Sequence, residues 1–70
     1  MATRREIIDG LTILERYPSR NYADTTVGAE HDVLYVGGLP PEELDAEDLL
    51  RLKELRFLWE GPQGRWLHYL

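Results

Sequence analysis

Residues 57–70 constrain this chain more than any other stretch. Phe57-Leu58-Trp59-Glu60 and Arg65-Trp66-Leu67-His68-Tyr69-Leu70 flank Gly61-Pro62-Gln63-Gly64, which reads as a β-hairpin. Pro62 suits the first central position of a type I or II turn, and the glycines absorb the remaining backbone strain. Pairing Glu60 with Arg65 sets the register. Trp59 then faces Trp66, Leu58 faces Leu67, and Phe57 faces His68. Successive strand residues point to opposite faces, so one face holds Phe57, Trp59, Trp66, His68 and Leu70. The other holds Leu58, Glu60, Arg65, Leu67 and Tyr69. Both faces are apolar. One must meet helices; the other needs a loop, a second subunit or a partner.

The chain is too short to absorb that surplus easily. Its 70 residues make one domain, 1–70, and a domain of this size buries only about 60% of its unfolded surface. A single core here seldom supplies more than about 3–5 kcal/mol without a disulfide, a metal or a partner subunit. With no cysteine, disulfides and thiolate metal sites are excluded.

The remaining elements follow from local signals. Thr3-Arg4-Arg5-Glu6 is a capping box opening a helix over 4–16, with Ile7, Ile8, Leu11 and Leu14 on its apolar arc. Gly10 costs that helix roughly 1 kcal/mol against Ala, for which a close approach of another helix is one reason. Pro18 stops the helix, and residues 18–25 carry turn chemistry. Val33–Val36 is an interior strand, apolar on both faces; residues 25–29 either add a weaker strand before it, turning back at Glu30-His31-Asp32, or leave 33–36 as a single strand. Gly37-Gly38 ends the strand and Pro40-Pro41 opens the next connection, in which Pro41–Leu44 either leads into helix two or forms a separate turn of helix. Helix two starts at Asp45 as N-cap, with Asp48 at N3 and a Leu44–Leu49 staple. It buries Leu49, Leu52 and Leu55, with Leu50 on the flank and Arg51, Lys53 and Arg56 towards its end, as the dipole favours. The fold class is α+β: an antiparallel sheet of three or four strands with two helices on one face, in the order α-β(β)-α-β-β.

Charge narrows the function. Eight Lys+Arg against thirteen Asp+Glu give −5, the opposite of the basic footprint that direct nucleic-acid binding needs. The first residues, Met-Ala-Thr-Arg-Arg-Glu, carry no apolar signal stretch. No run approaches the roughly 18 apolar residues of a membrane span. A soluble cytoplasmic protein is expected.

Catalytic signals are thin. Ser19 is the only serine, and no nucleophile-elbow pattern surrounds it; Gly37-Gly38 belongs to no phosphate-binding motif. Glu30, His31 and Asp32 with His68 are the one candidate metal cluster, and a small metal-dependent hydrolase is the enzymatic alternative. Neighbours on a strand point apart, so Glu30 and His31 converge only if a turn rearranges them. The expectation is no enzyme, no metal and no cofactor.

Protein binding fits best. Trp, Tyr and Arg dominate interface hot spots, and they crowd this hairpin. The expected contacts are Trp59, Arg65, Trp66, His68 and Tyr69, with a core role for the two tryptophans as the competing reading. Glu42, Glu43, Glu47 and Asp48 form a second patch that would steer a basic partner, or mimic nucleic acid in a basic cleft. The same run also suits a solvated helix start. The partner is a protein of unknown identity or a second copy of the chain, as a homodimer.

Four pieces together resemble small accessory proteins of phages and mobile elements: a short amphipathic helix, Ala29–Asp32 before the apolar strand 33–36, the acidic Leu-rich helix 45–55, and the Trp-containing hairpin 57–70. The likeness covers about two thirds of the chain. It implies a binder, in some cases an inhibitor of host machinery, and it transfers no functional residue.

Overall fold

The capping box at Thr3 nucleates the first helix as expected. In the computed structural model, which describes residues 2–17 and 25–70, the Glu6 N–H donates to Thr3 Oγ1 (3.1 Å) and the Thr3 N–H donates to Glu6 Oε1 (2.9 Å). Helix α1 runs Arg4–Glu15, one residue short of expectation, with Arg16 as C-cap. Of the expected turn at 18–25, residues 18–24 lie outside the described residues.

Strands β1 (Val27–Glu30) and β2 (Val33–Gly37) form a hairpin in which Glu30 faces Val33. The weaker strand therefore sits later than 25–29. Its two turn residues, His31 and Asp32, both have positive φ (51° and 64°). Type I′ hairpin turns require that, and usually recruit Asn-Gly for it.

A single 3-10 turn, Pro41–Glu43, separates β2 from helix α2 (Ala46–Glu54). Asp45 is the N-cap residue, yet its side chain makes no capping bond. At the other end the Arg56 N–H donates to the Lys53 carbonyl and the Phe57 N–H to the Leu52 carbonyl. Those two bonds make a Schellman motif, with Arg56 (φ 68°) in the left-handed position that glycine usually fills. Phe57 and Leu52, both buried, provide its apolar closure.

The second hairpin has the expected register. Between β3 (Leu58–Glu60) and β4 (Arg65–Tyr69), Leu58 faces Leu67, Trp59 faces Trp66 and Glu60 faces Arg65. Its connection is a 3-10 turn, Gly61–Gln63, followed by Gly64 at φ 64°, instead of a type I or II turn. The sheet order is β1-β2-β4-β3, antiparallel throughout. The fold is α+β, with two helices and four strands in the order α-β-β-α-β-β. Among the described residues no helix is long and apolar enough to cross a membrane.

Both helices supply the core on one side of the sheet. Ile13, Leu14, Leu52 and Leu55 pack with Val36, Phe57 and Trp66. The buried arc of α1 is rotated from the expected one: Ile13 is buried and Ile8 is 50% exposed. The reason is Gly10. A Cβ built there would lie 2.2 Å from Phe57 Cε1, so the face that approaches the sheet is the one without a side chain. The close approach inferred for Gly10 is real, but an aromatic ring makes it. Leu70 also differs: it lies past the end of β4, largely exposed, with its N–H bonded to the Asp32 carbonyl.

Gly10→Ala should therefore destabilise the fold despite the better helix former. Overpacking costs typically about 1–3 kcal/mol against a propensity gain of about 1 kcal/mol. The Phe57 ring cannot move aside cheaply, because it is buried and stacked on His68. Urea unfolding of Gly10→Ala should show a lower midpoint; an unchanged or higher one would contradict this packing.

Candidate functional site

The helices leave the opposite face of the sheet uncovered. Strand pairing brings Val33 beside Tyr69, and Tyr35 beside Leu67, which is itself beside Leu58. Leu58 is 52% exposed and Tyr69 59%, while Val33, Tyr35 and Leu67 are half-buried. These five make an apolar strip across the three strands β2, β4 and β3. At one end of the strip the Arg65 guanidinium lies 3.9 Å over the Tyr35 ring, and its Nε donates to Glu60 Oε1 (2.7 Å). Beside them a concavity of about 350 Å3 is lined by Tyr35, Arg65, Gln63 and the glycines 28, 37 and 64.

Of the expected contact residues on the hairpin, Arg65 and Tyr69 belong to this face. Trp66 and His68 do not; each is only 1% exposed and both are core residues. The Trp66 Nε1–H donates to the Leu39 carbonyl (3.0 Å), and its ring meets Trp59 edge-on at 5.4 Å. Trp59 is half-buried on that same covered side. His68 stacks on Phe57 at 4.5 Å and donates from Nδ1 to the Arg56 carbonyl (3.2 Å); Nε2 has no partner. The physical reason is that the helices cover the face with the larger rings, where burial removes more apolar surface from water.

The acidic patch is divided. Glu42, Glu43 and Glu47 are exposed. Asp48 is half-buried and engaged within the fold: its carboxylate accepts from the Tyr17 hydroxyl and from Arg16 Nη1 (3.2 Å). The Tyr17 hydroxyl in turn accepts from the Asp45 N–H (3.0 Å), so it ties the end of α1 to the start of α2. Two further pairs, Asp9–Arg51 (3.4 Å) and Glu6–Arg56 (3.0 Å), continue the ladder between the antiparallel helices. Such exposed pairs contribute little to stability individually, but together they orient the two helices on the sheet.

The cluster around His31 is not assembled. Glu30 and His31 (3.2 Å apart) are exposed at the tip of the first hairpin, whereas His68 is in the core. Ser19 lies outside the described residues. Two contributors escaped the sequence reading. Tyr35 was not counted among the expected contacts, although its alternation with Leu34 and Val36 already separates two faces. Tyr17 gave no signal, since its partners are about thirty residues away. No protein-family model, curated protein or solved structure matches the chain.

Two pH responses follow from the ladder. Glu6 sits below its ordinary value of 4.5, through the Thr3 N–H first and the Arg56 guanidinium second. The fold favours its ionised form, so this stabilisation is present above about pH 4.5 and is lost as pH falls through the lowered value. Tyr17 sits above its ordinary 10.0, through burial first and Asp48 second. The fold favours its protonated form, so that contribution is complete below about pH 10 and fades as pH rises through the raised value. Thermal unfolding across pH should show Glu6→Gln flattening the acid limb and Tyr17→Phe the alkaline limb. Tyr17→Phe should also cost about 0.5–1.5 kcal/mol at neutral pH, the usual net worth of a hydrogen bond.

Proposed function

We propose that this chain is a non-catalytic protein-interaction domain that docks a partner protein on the open face of its sheet and modulates or inhibits that partner. The observation that carries the reading is the apolar strip of Val33, Tyr35, Leu58, Leu67 and Tyr69, in which Leu58 and Tyr69 stay more than half exposed and α2 reaches only the edge, where Lys53 lines a hollow with both. Fully burying an exposed leucine contributes about 1.5–3 kcal/mol, so covering the half-exposed Leu58 is worth roughly half of that. A rim of polar groups, Arg65 and Glu60 among them, supplies direction. The exposed Glu42, Glu43 and Glu47 add long-range attraction to a basic partner. A cytoplasmic setting belongs to the same reading, supported by a chain that has no cysteine to oxidise.

Leu58→Glu and Tyr69→Glu test it, with Leu50→Glu on α2 as a control, since Leu50 is 61% exposed and not part of the strip. All three should leave stability within about 0.5 kcal/mol of the parent, as surface substitutions usually do. In affinity capture from lysate, the two open-face variants should lose a protein that the parent and Leu50→Glu retain. Equal capture by all three overturns the proposal. So does a parent that sediments as a dimer and that Leu58→Glu converts to a monomer, because a second copy then covers the face.

A further inference from the structure

Arg65 is held on two sides and left open on a third. Tyr35 lies under its plane at 3.9 Å, and Glu60 accepts from its Nε at 2.7 Å. A guanidinium carries five N–H donors in a rigid fork. Glu60 uses the one on Nε, and among the described residues neither Nη group meets an acceptor. The side chain is about one-third exposed (36%) and borders the concavity beside Tyr35. The concavity is open at two of its lining positions: a Cβ built at Gly28 or at Gly64 would meet nothing within 4 Å. The result is a fixed donor pair beside an open notch, set at the end of an apolar strip.

Resting on the docking role of the open face, we infer that Arg65 is the anchor for a carboxylate presented by the docked partner. The Nη1 and Nη2 groups offer two parallel donors, which match the two coplanar oxygens of a carboxylate. Glu60 decides against a dianion such as phosphate. It lies in contact with Arg65 and leaves little net positive charge to offset a second negative one. The overall charge of −5 opposes anions only weakly at this point, since exposed charges are screened beyond about 8 Å at physiological salt. Tyr35 and Glu60 also fix the guanidinium before a ligand arrives, so less side-chain freedom is lost on binding.

The carboxylate has two sources in a protein, an Asp or Glu side chain and a chain terminus. The test is a titration of the full 15N-labelled chain, following Arg65 Nε–H and the amides of Gly28, Gly37 and Gly64. N-acetyl-aspartate α-amide presents a side-chain carboxylate and N-acetyl-leucine a terminal one, while N-acetyl-leucinamide is the neutral control. Saturable shifts confined to these signals are expected with at least one carboxylate and not with the control; the tighter probe identifies the source. Arg65→Gln should weaken binding at least tenfold, and Arg65→Lys nearly as much, because lysine keeps the charge but lacks the fork. Glu60→Gln should strengthen binding severalfold by removing the competing carboxylate. Shifts that rise linearly without saturating, an equal response to the amide, or unchanged affinity in Arg65→Gln overturn the assignment. Partner capture separates this failure from that of the docking role. If Leu58→Glu loses the partner while Arg65→Gln retains it, only the carboxylate anchor falls. If neither variant loses it, both fall.

Discussion

The rest of this structure depends on where one ring is seated. Phe57 lies between the bare backbone of α1 at Gly10 and the imidazole of His68 on β4. Its own N–H also closes the end of α2, on the Leu52 carbonyl. One residue therefore couples both helices to the sheet. It stops α2, fixes the rotation of α1 about its axis and selects which face of the second hairpin is buried. In a domain this small, few other contacts are available to take over those tasks.

The open face is a consequence of that arrangement. Two short helices cover one side of a four-stranded sheet, and the chain has no third element among its described residues to cover the other. Antiparallel sheets tolerate water on one face when that face is polar. Here the alternation on β2, β3 and β4 places Val33, Tyr35, Leu58, Leu67 and Tyr69 outward instead. Arg65 and Glu60 shield part of Tyr35, and Leu58 and Tyr69 stay more than half exposed.

Electrostatics serves the same geometry. With −5 net charge, a chain of 70 residues repels itself, yet three of its carboxylates are drawn into the ladder between α1 and α2. Asp48 shows the effect best. Counted by sequence it belongs to an acidic patch; in the fold it receives Tyr17 and Arg16 and is no longer available outward. What remains exposed of that patch, Glu42, Glu43 and Glu47, is a narrower feature than the letters imply.

Much of the local structure was legible because its causes are local. The capping box joins Thr3 to Glu6, three residues apart, and the register of the second hairpin follows from its four-residue connection and the Glu60–Arg65 pair. The α+β order, the interior position of β2 and the burial of Leu52 and Leu55 followed from periodicity in the same way, while Leu49 is only partly buried. The tertiary structure alone decided the pairing of β2 with β4, which sets Tyr35 beside Leu67 and beneath Arg65. It also decided that Trp66 and His68 turn inward, and that Ile13 displaces Ile8 from the core. Both faces of the hairpin are apolar, so hydrophobicity by itself does not choose between them. The choice rests on the seating of Phe57 against Gly10, 47 residues away and too far apart in the chain for any local pattern to encode.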